Sequence, residues 1–126
     1  MTERFTPEQI TDLAPGEVFV FGSNAEGRHA GGAAVFAWQN CGAVWGVGEG
    51  LHGQSYAIPT MGSLAETVAA VGRFLLVAKS HPWLTFLVTK IGTGIAGWPV
   101  EEIAPLFAER LPNVVLPREF AEALHA

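Results

Sequence analysis

Positive charge is scarce in this chain of 126 residues: seven Lys and Arg stand against twelve Asp and Glu, a net charge of −5. The basic residues are scattered, without the clusters that follow a DNA or RNA backbone, so no nucleic-acid partner is expected. A small nucleotide is not excluded, because backbone N–H groups bind phosphate without side-chain charge. Cysteine is nearly absent. Cys41 stands alone, so no internal disulfide can form and a cytoplasmic, reducing setting is expected. At the end of a helical pattern it reads as a small buried hydrophobe rather than a nucleophile. No apolar run approaches bilayer length, and the polar start Met1-Thr2-Glu3-Arg4-Phe5 carries no signal-peptide core, so no membrane association is expected. His29, His52, His81 and His125 have no ligand spacing and there is no Cys-x-x-Cys pair, so neither metal nor cofactor is expected. Asp12, in the first predicted helix, is the sole aspartate, which leaves a Ser-His-Asp triad unsupported. No Lys-Ser or Lys-Thr follows the glycines as a P-loop requires, and no acidic residue ends the second strand as a dinucleotide-binding fingerprint requires.

What the chain has instead is 49% apolar residues and fifteen glycines, enough for one domain, residues 1–126, with a real core. Thr6-Pro7-Glu8-Gln9-Ile10 predicts a short helix, with Thr6 as its cap and Pro7 at the first helical position, ending near Ala14-Pro15-Gly16. Val18-Phe19-Val20-Phe21 predicts a strand covered on both faces. A helix is expected from Ala33 to Trp38, closing at Asn40-Cys41-Gly42. Residues 42–54 carry Gly42, Gly46, Gly48, Gly50 and Gly53 and read as a long, functional loop. Strand Tyr56 to Pro59 precedes a helix from Leu64 to Lys79, capped by Ser63, with Leu64, Val68, Val71, Leu75 and Leu76 as its core stripe. Strand Leu84 to Thr89, a helix opened by Pro99, strand Asn113 to Leu116 and helix Pro117 to Leu124 complete a layered α/β order. Exposure of Trp38, Trp45, Trp83 and Phe120 would leave a homodimer open.

The chemistry concentrates in two glycine-rich loops, Gly22 to Gly32 and Gly92 to Trp98. Each follows a strand and leads into a helix. Glycine lets the main chain approach a ligand closely, and the helix start adds partial positive charge, so such loops suit phosphate. Two in one small domain suggest one ligand held from both sides; tight connections without a ligand are the bland alternative. Lys90 ends a strand beside the second loop, where it either meets a phosphate or reaches into solvent.

Together the loops resemble the macrodomain superfamily, whose members bind ADP-ribose. The stretch Ile91-Gly92-Thr93-Gly94-Ile95-Ala96-Gly97-Trp98-Pro99-Val100-Glu101-Glu102 is similar to the macrodomain Gly-x-Gly-(apolar)-x-Gly-aromatic-Pro turn. Asn24, Gly27, Ala30, Gly32 and Ala34 resemble the first-loop pattern of the terminal ADP-ribose glycohydrolase branch. More narrowly, Phe19 to Asn24, Ser55 to Thr60 and Thr89 to Phe107 look like a family of uncharacterised bacterial and phage proteins. The likeness implies a three-layer α/β/α macrodomain-like fold with a central mixed sheet, and an ADP-ribose-like nucleotide as the small-molecule partner. It implies that Gly92, Thr93, Gly94, Ile95, Ala96 and Gly97 donate backbone N–H groups to a diphosphate, and that Asn24 bonds ribose hydroxyls. Gly31 and Gly32 would let the chain close over the sugar, and Trp98 would cover the ligand or pack on the following helix. Gly22, Ser23, Gly27, Ala33, Pro59 and Thr60 complete the implied contacts.

The glycohydrolase branch relies on an aspartate and a lysine, and here Ala96 and Thr60-Met61 stand at the matching positions. That departure implies a binder before a hydrolase. Were hydrolysis to occur, Asn24 would position the water and His29 or Glu49 would act as base; both sit in glycine-rich segments. Glu26 is a further carboxylate in the first loop, and solvated loop carboxylates are the plain reading of Glu26 and Glu49. A protein that kept the fold and lost the ligand is the remaining alternative; so many conformationally costly glycines speak against it.

Overall fold

A computed structural model of the chain describes residues 4–24, 26–28, 32–93 and 96–125. In it a six-stranded sheet runs in the order β1-β6-β5-β2-β4-β3. The strands are β1 (Phe5–Thr6), β2 (Glu17–Ser23), β3 (Gly50–His52), β4 (Ser55–Pro59), β5 (Thr85–Val88) and β6 (Val114–Pro117). All neighbours are parallel except β3, which pairs antiparallel with β4, so the sheet is mixed. Among the described residues four α-helices accompany it: α1 (Gly32–Asn40), α2 (Leu64–Ser80), α3 (Val100–Ile103) and α4 (Arg118–Leu124).

Alternation along β2 divides the core. Val18 and Val20 point to one face, where α2, α3 and α4 pack through Phe74, Ile103 and Phe120. Phe19 and Phe21 point to the other, beneath α1 and its buried Ala37. The result is a three-layer α/β arrangement, and it explains why β2 is apolar at every position from Val18 to Phe21. On α2, Ser63 accepts from the Glu66 N–H at 3.1 Å while Glu66 accepts from the Ser63 N–H at 3.2 Å, a closed capping box. After α3 the chain tightens into a 3₁₀ turn, Ala104–Phe107, where Pro105 lacks the N–H that an α-helix would use.

Four expectations need correcting. No helix forms over residues 7–14: Phe5–Thr6 instead pairs with Leu116–Pro117 as an edge strand. The Thr6 hydroxyl, expected as a helix cap, donates to the Val115 carbonyl at 3.1 Å. The α2 stripe is rotated, its buried line being Thr67, Ala70, Val71, Phe74 and Ala78, while Val68 and Leu76 are 44% and 67% exposed. Small Thr and Ala residues bring the helix close to the sheet and Phe74 fills the space between, which a search for large aliphatics passes over. The segment 42–54 is not all loop: Gly50–His52 turns through Gly53 into a hairpin with β4. Phe120, expected among the exposed aromatics, is fully buried; Trp38, Trp45 and Trp83 are exposed.

Two titrations follow from this packing. Tyr56, the one tyrosine, is buried against Phe74; burial first and Glu49 second, with Arg73 opposing, push its phenol up to about 12. An acid whose folded value lies above its unfolded value of 10.0 costs the fold nothing below that pH and destabilises it above. The phenolate absorbance is therefore expected only well above pH 10 and together with unfolding; ionisation near 10 in the folded protein would contradict the burial.

Glu17 accepts from the Ala14 N–H at 2.9 Å and pairs with Arg4 at 2.6 Å, which holds its carboxyl below the usual 4.5, the backbone bond first. A lowered folded value stabilises above the unfolded value and is lost as pH falls through the folded one. Glu17→Gln is expected to cost about 1 kcal/mol at neutral pH in denaturant unfolding. That gap from the wild type closes as pH falls below 4.5; an unchanging gap would rule out the charged carboxylate as its source.

Candidate functional site

β2 and β5 lie side by side and parallel, with Val20 opposite Val88. The chain leaves β2 toward α1 on one face and leaves β5 toward α3 on the other. Connections that part in this way open a crevice beyond the carboxyl ends of the strands, the usual ligand position in open α/β sheets. Both glycine loops start there. A Cβ placed on Gly22 would lie 3.5 Å from the Gly92 nitrogen and 3.7 Å from the Ile91 Cα, so the backbones of the two loops nearly touch. Thr89 fastens them, its hydroxyl and its N–H both donating to the Val20 carbonyl, at 2.8 and 3.0 Å.

The first loop is built around Asn24 and Gly27. The Asn24 side chain accepts from the Arg28 N–H at 2.9 Å and donates to the Arg28 carbonyl at 3.1 Å, closing the turn on itself. Gly27, at φ 68°, packs against residues 46 and 47, and its carbonyl accepts from the Gly46 N–H at 2.9 Å. In the second loop, Gly92 sits at φ 73° and its carbonyl accepts from the Trp98 N–H at 2.7 Å. The Trp98 indole donates to the Thr60 carbonyl at 3.1 Å, tying this loop to the end of β4. Trp98 thus packs and braces rather than covering the cleft.

The cleft between the loops has a volume of about 360 Å³. Of the expected contacts it brings together Gly22, Ser23, Asn24, Gly32, Ala33, Thr60, Gly92 and Ala96. Gly27, Pro59, Thr93, Gly97 and Trp98 are absent from its lining, and Gly27 and Trp98 buttress it from behind. His29, Gly31, Gly94 and Ile95 lie outside the described residues. Glu49, expected as a base, does not line the cleft; it holds Arg73 of α2 through two hydrogen bonds of 2.5 and 2.9 Å. Exposed Glu26 does not line it either.

Sequence reasoning missed Met61, Thr89 and Ile91 in the lining, and gave no role to Arg28. A basic residue inside a glycine loop was the available signal for Arg28. Arg28 and Lys90 are the charged members of the lining among the described residues, and no described carboxylate, histidine or cysteine joins them. In a chain of net charge −5 this is a local concentration of positive charge.

A larger cavity of about 780 Å³ adjoins the cleft and shares Ala33, Thr89 and Lys90 with it. Its lining combines Phe5, Ile10, Phe19, Phe36 and Pro117 with Glu8, Gln9, Arg118 and Glu119. The N-terminal segment builds one side of it, which is why expecting a helix there hid the cavity. No protein-family model matches the chain, and no curated protein or solved structure does either. Among the described residues no cluster of His, Cys, Asp or Glu is placed to hold a metal ion, and no helix is long and apolar enough to cross a membrane.

Proposed function

We propose that the chain binds ADP-ribose or a related NAD-derived nucleotide, with the diphosphate in the cleft between the loops and the base in the larger cavity. The observation that carries this reading is the approach of the Gly22 and Gly92 backbones at the point where β2 and β5 send their connections to opposite faces. Main-chain N–H groups, Arg28 and Lys90 give the smaller space its preference for an anion, and the phenylalanines give the larger one a surface for a flat ring. Two spaces that share Ala33, Thr89 and Lys90 in their linings suit a ligand longer than a mononucleotide. The resemblance of both loops to macrodomains supports the same ligand class. Binding without hydrolysis is the form proposed, because no described residue lining the cleft assigned to the diphosphate supplies a carboxylate or an imidazole.

Titration calorimetry with ADP-ribose, NAD and ADP is the test. Saturable binding is expected, tighter for ADP-ribose than for ADP. Weak, unsaturable heats for all three would overturn the reading, and release of ADP-ribose from a modified protein would replace the binder with a hydrolase.

A further inference from the structure

Lys90 is the one charged residue common to both cavities among the described residues. It lies two residues beyond the end of β5, and its ammonium is paired with the carboxylate of Glu119 on α4, itself part of the larger cavity. The pair therefore stands where the two spaces meet. Its side chains are 47% and 41% exposed, so solvent and solutes reach it. Such a half-exposed pair contributes little to stability and exchanges partners readily. Glu8 also acts on Lys90 electrostatically, and Arg118 on Glu119, so the junction carries mixed charge rather than a uniformly basic one.

We propose that the Lys90–Glu119 pair is the selectivity element of this site, admitting ligands that carry phosphate at the neck and discriminating against neutral ones. The inference rests on the nucleotide reading above and adds to it the competition between Glu119 and the ligand for Lys90. Glu119 occupies Lys90. A ligand that spans both cavities places its phosphate oxygens beside the ammonium, and these take the place of the carboxylate. A neutral nucleoside offers Lys90 no such exchange and leaves the pair intact. Glu119 thus opposes anionic ligands until Lys90 is won from it, so the two residues have opposite effects on affinity.

The test is calorimetry with ADP-ribose, ADP and adenosine on the wild type, Lys90→Met and Glu119→Gln, with thermal unfolding to check the fold of each variant. Lys90→Met is expected to weaken ADP-ribose and ADP about tenfold and to leave adenosine within about twofold. Glu119→Gln is expected to tighten both phosphorylated ligands by about threefold, again sparing adenosine. Equal weakening of all three ligands by Lys90→Met, no effect of it, or weaker phosphate binding in Glu119→Gln would each overturn the proposal while wild-type ADP-ribose binding left the nucleotide reading standing. A wild type that binds none of the three would remove both.

Discussion

Gly27→Ala is expected to destabilise the domain by about 2–4 kcal/mol, combining positive-φ strain with overpacking. The new methyl would fall 2.2 Å from the Val47 nitrogen and 2.4 Å from the Gly46 carbonyl carbon. Both are backbone atoms, so no rotamer change relieves the overlap, and the φ of 68° adds strain of its own. Either the first loop or residues 46 and 47 must move. Movement breaks the bond from the Gly46 N–H to the Gly27 carbonyl and shifts the Asn24–Arg28 turn that forms the cleft wall. Nucleotide affinity is expected to fall with stability. Gly32→Ala is the control: its φ of 57° is also positive, but a Cβ there meets nothing within 4 Å. It should cost only the left-handed penalty of about 1–2 kcal/mol. Denaturant midpoints compare the two, and equal midpoints would show that the contact with Val47 does not constrain the loop.

The difference between those two glycines marks how far the sequence could be read. Both loops were legible, because a strand followed by glycines and a helix start is a local pattern. So was β2, whose unbroken apolar run requires cover on both faces. Which glycine is pinned by a distant backbone was not legible, since residues 46 and 47 reach Gly27 only through the fold. Asn24 shows the same limit within one side chain. Its type suited a ribose contact, yet half of its bonding capacity closes its own loop.

The N-terminal segment failed for a related reason. Thr6-Pro7 with Glu8 behind it is a sound local helix start, but β6 would otherwise be an open sheet edge, and Phe5–Thr6 covers it. That non-local pairing, together with the stacking of Arg118 over the Phe5 ring at 4.4 Å, positions Glu8, Gln9 and Ile10 along the larger cavity. The glycine-rich neighbours of Glu49 suggest a site-facing base, whereas its environment is set by Arg73 on α2. The adjacency of β2 and β5, on which the cleft depends, is likewise a matter of strand order and not of any single motif.

Because that adjacency brings the loops together at Gly22, filling this one position separates binding from folding. Gly22→Ala would set its Cβ 3.2 Å from the Thr60 hydroxyl, a tight contact that a small shift relieves. Gly22→Val adds two further carbons beyond a Cβ that already lies 3.5 Å from the Gly92 nitrogen, in the space between the loops where the diphosphate is proposed. Neither variant faces the positive-φ strain that burdens Gly27, since Gly22 is not among the glycines of that conformation. Overpacking of about 1–3 kcal/mol is expected for valine and less for alanine. Affinity for ADP-ribose should fall by about 100-fold or more in Gly22→Val, through loss of the space that admits the phosphate. Gly22→Ala should lie between. A Gly22→Val protein that remains folded by thermal unfolding and binds ADP-ribose as the wild type does would show that the phosphate lies elsewhere, because a branched side chain at the Gly22–Gly92 contact leaves no room for it.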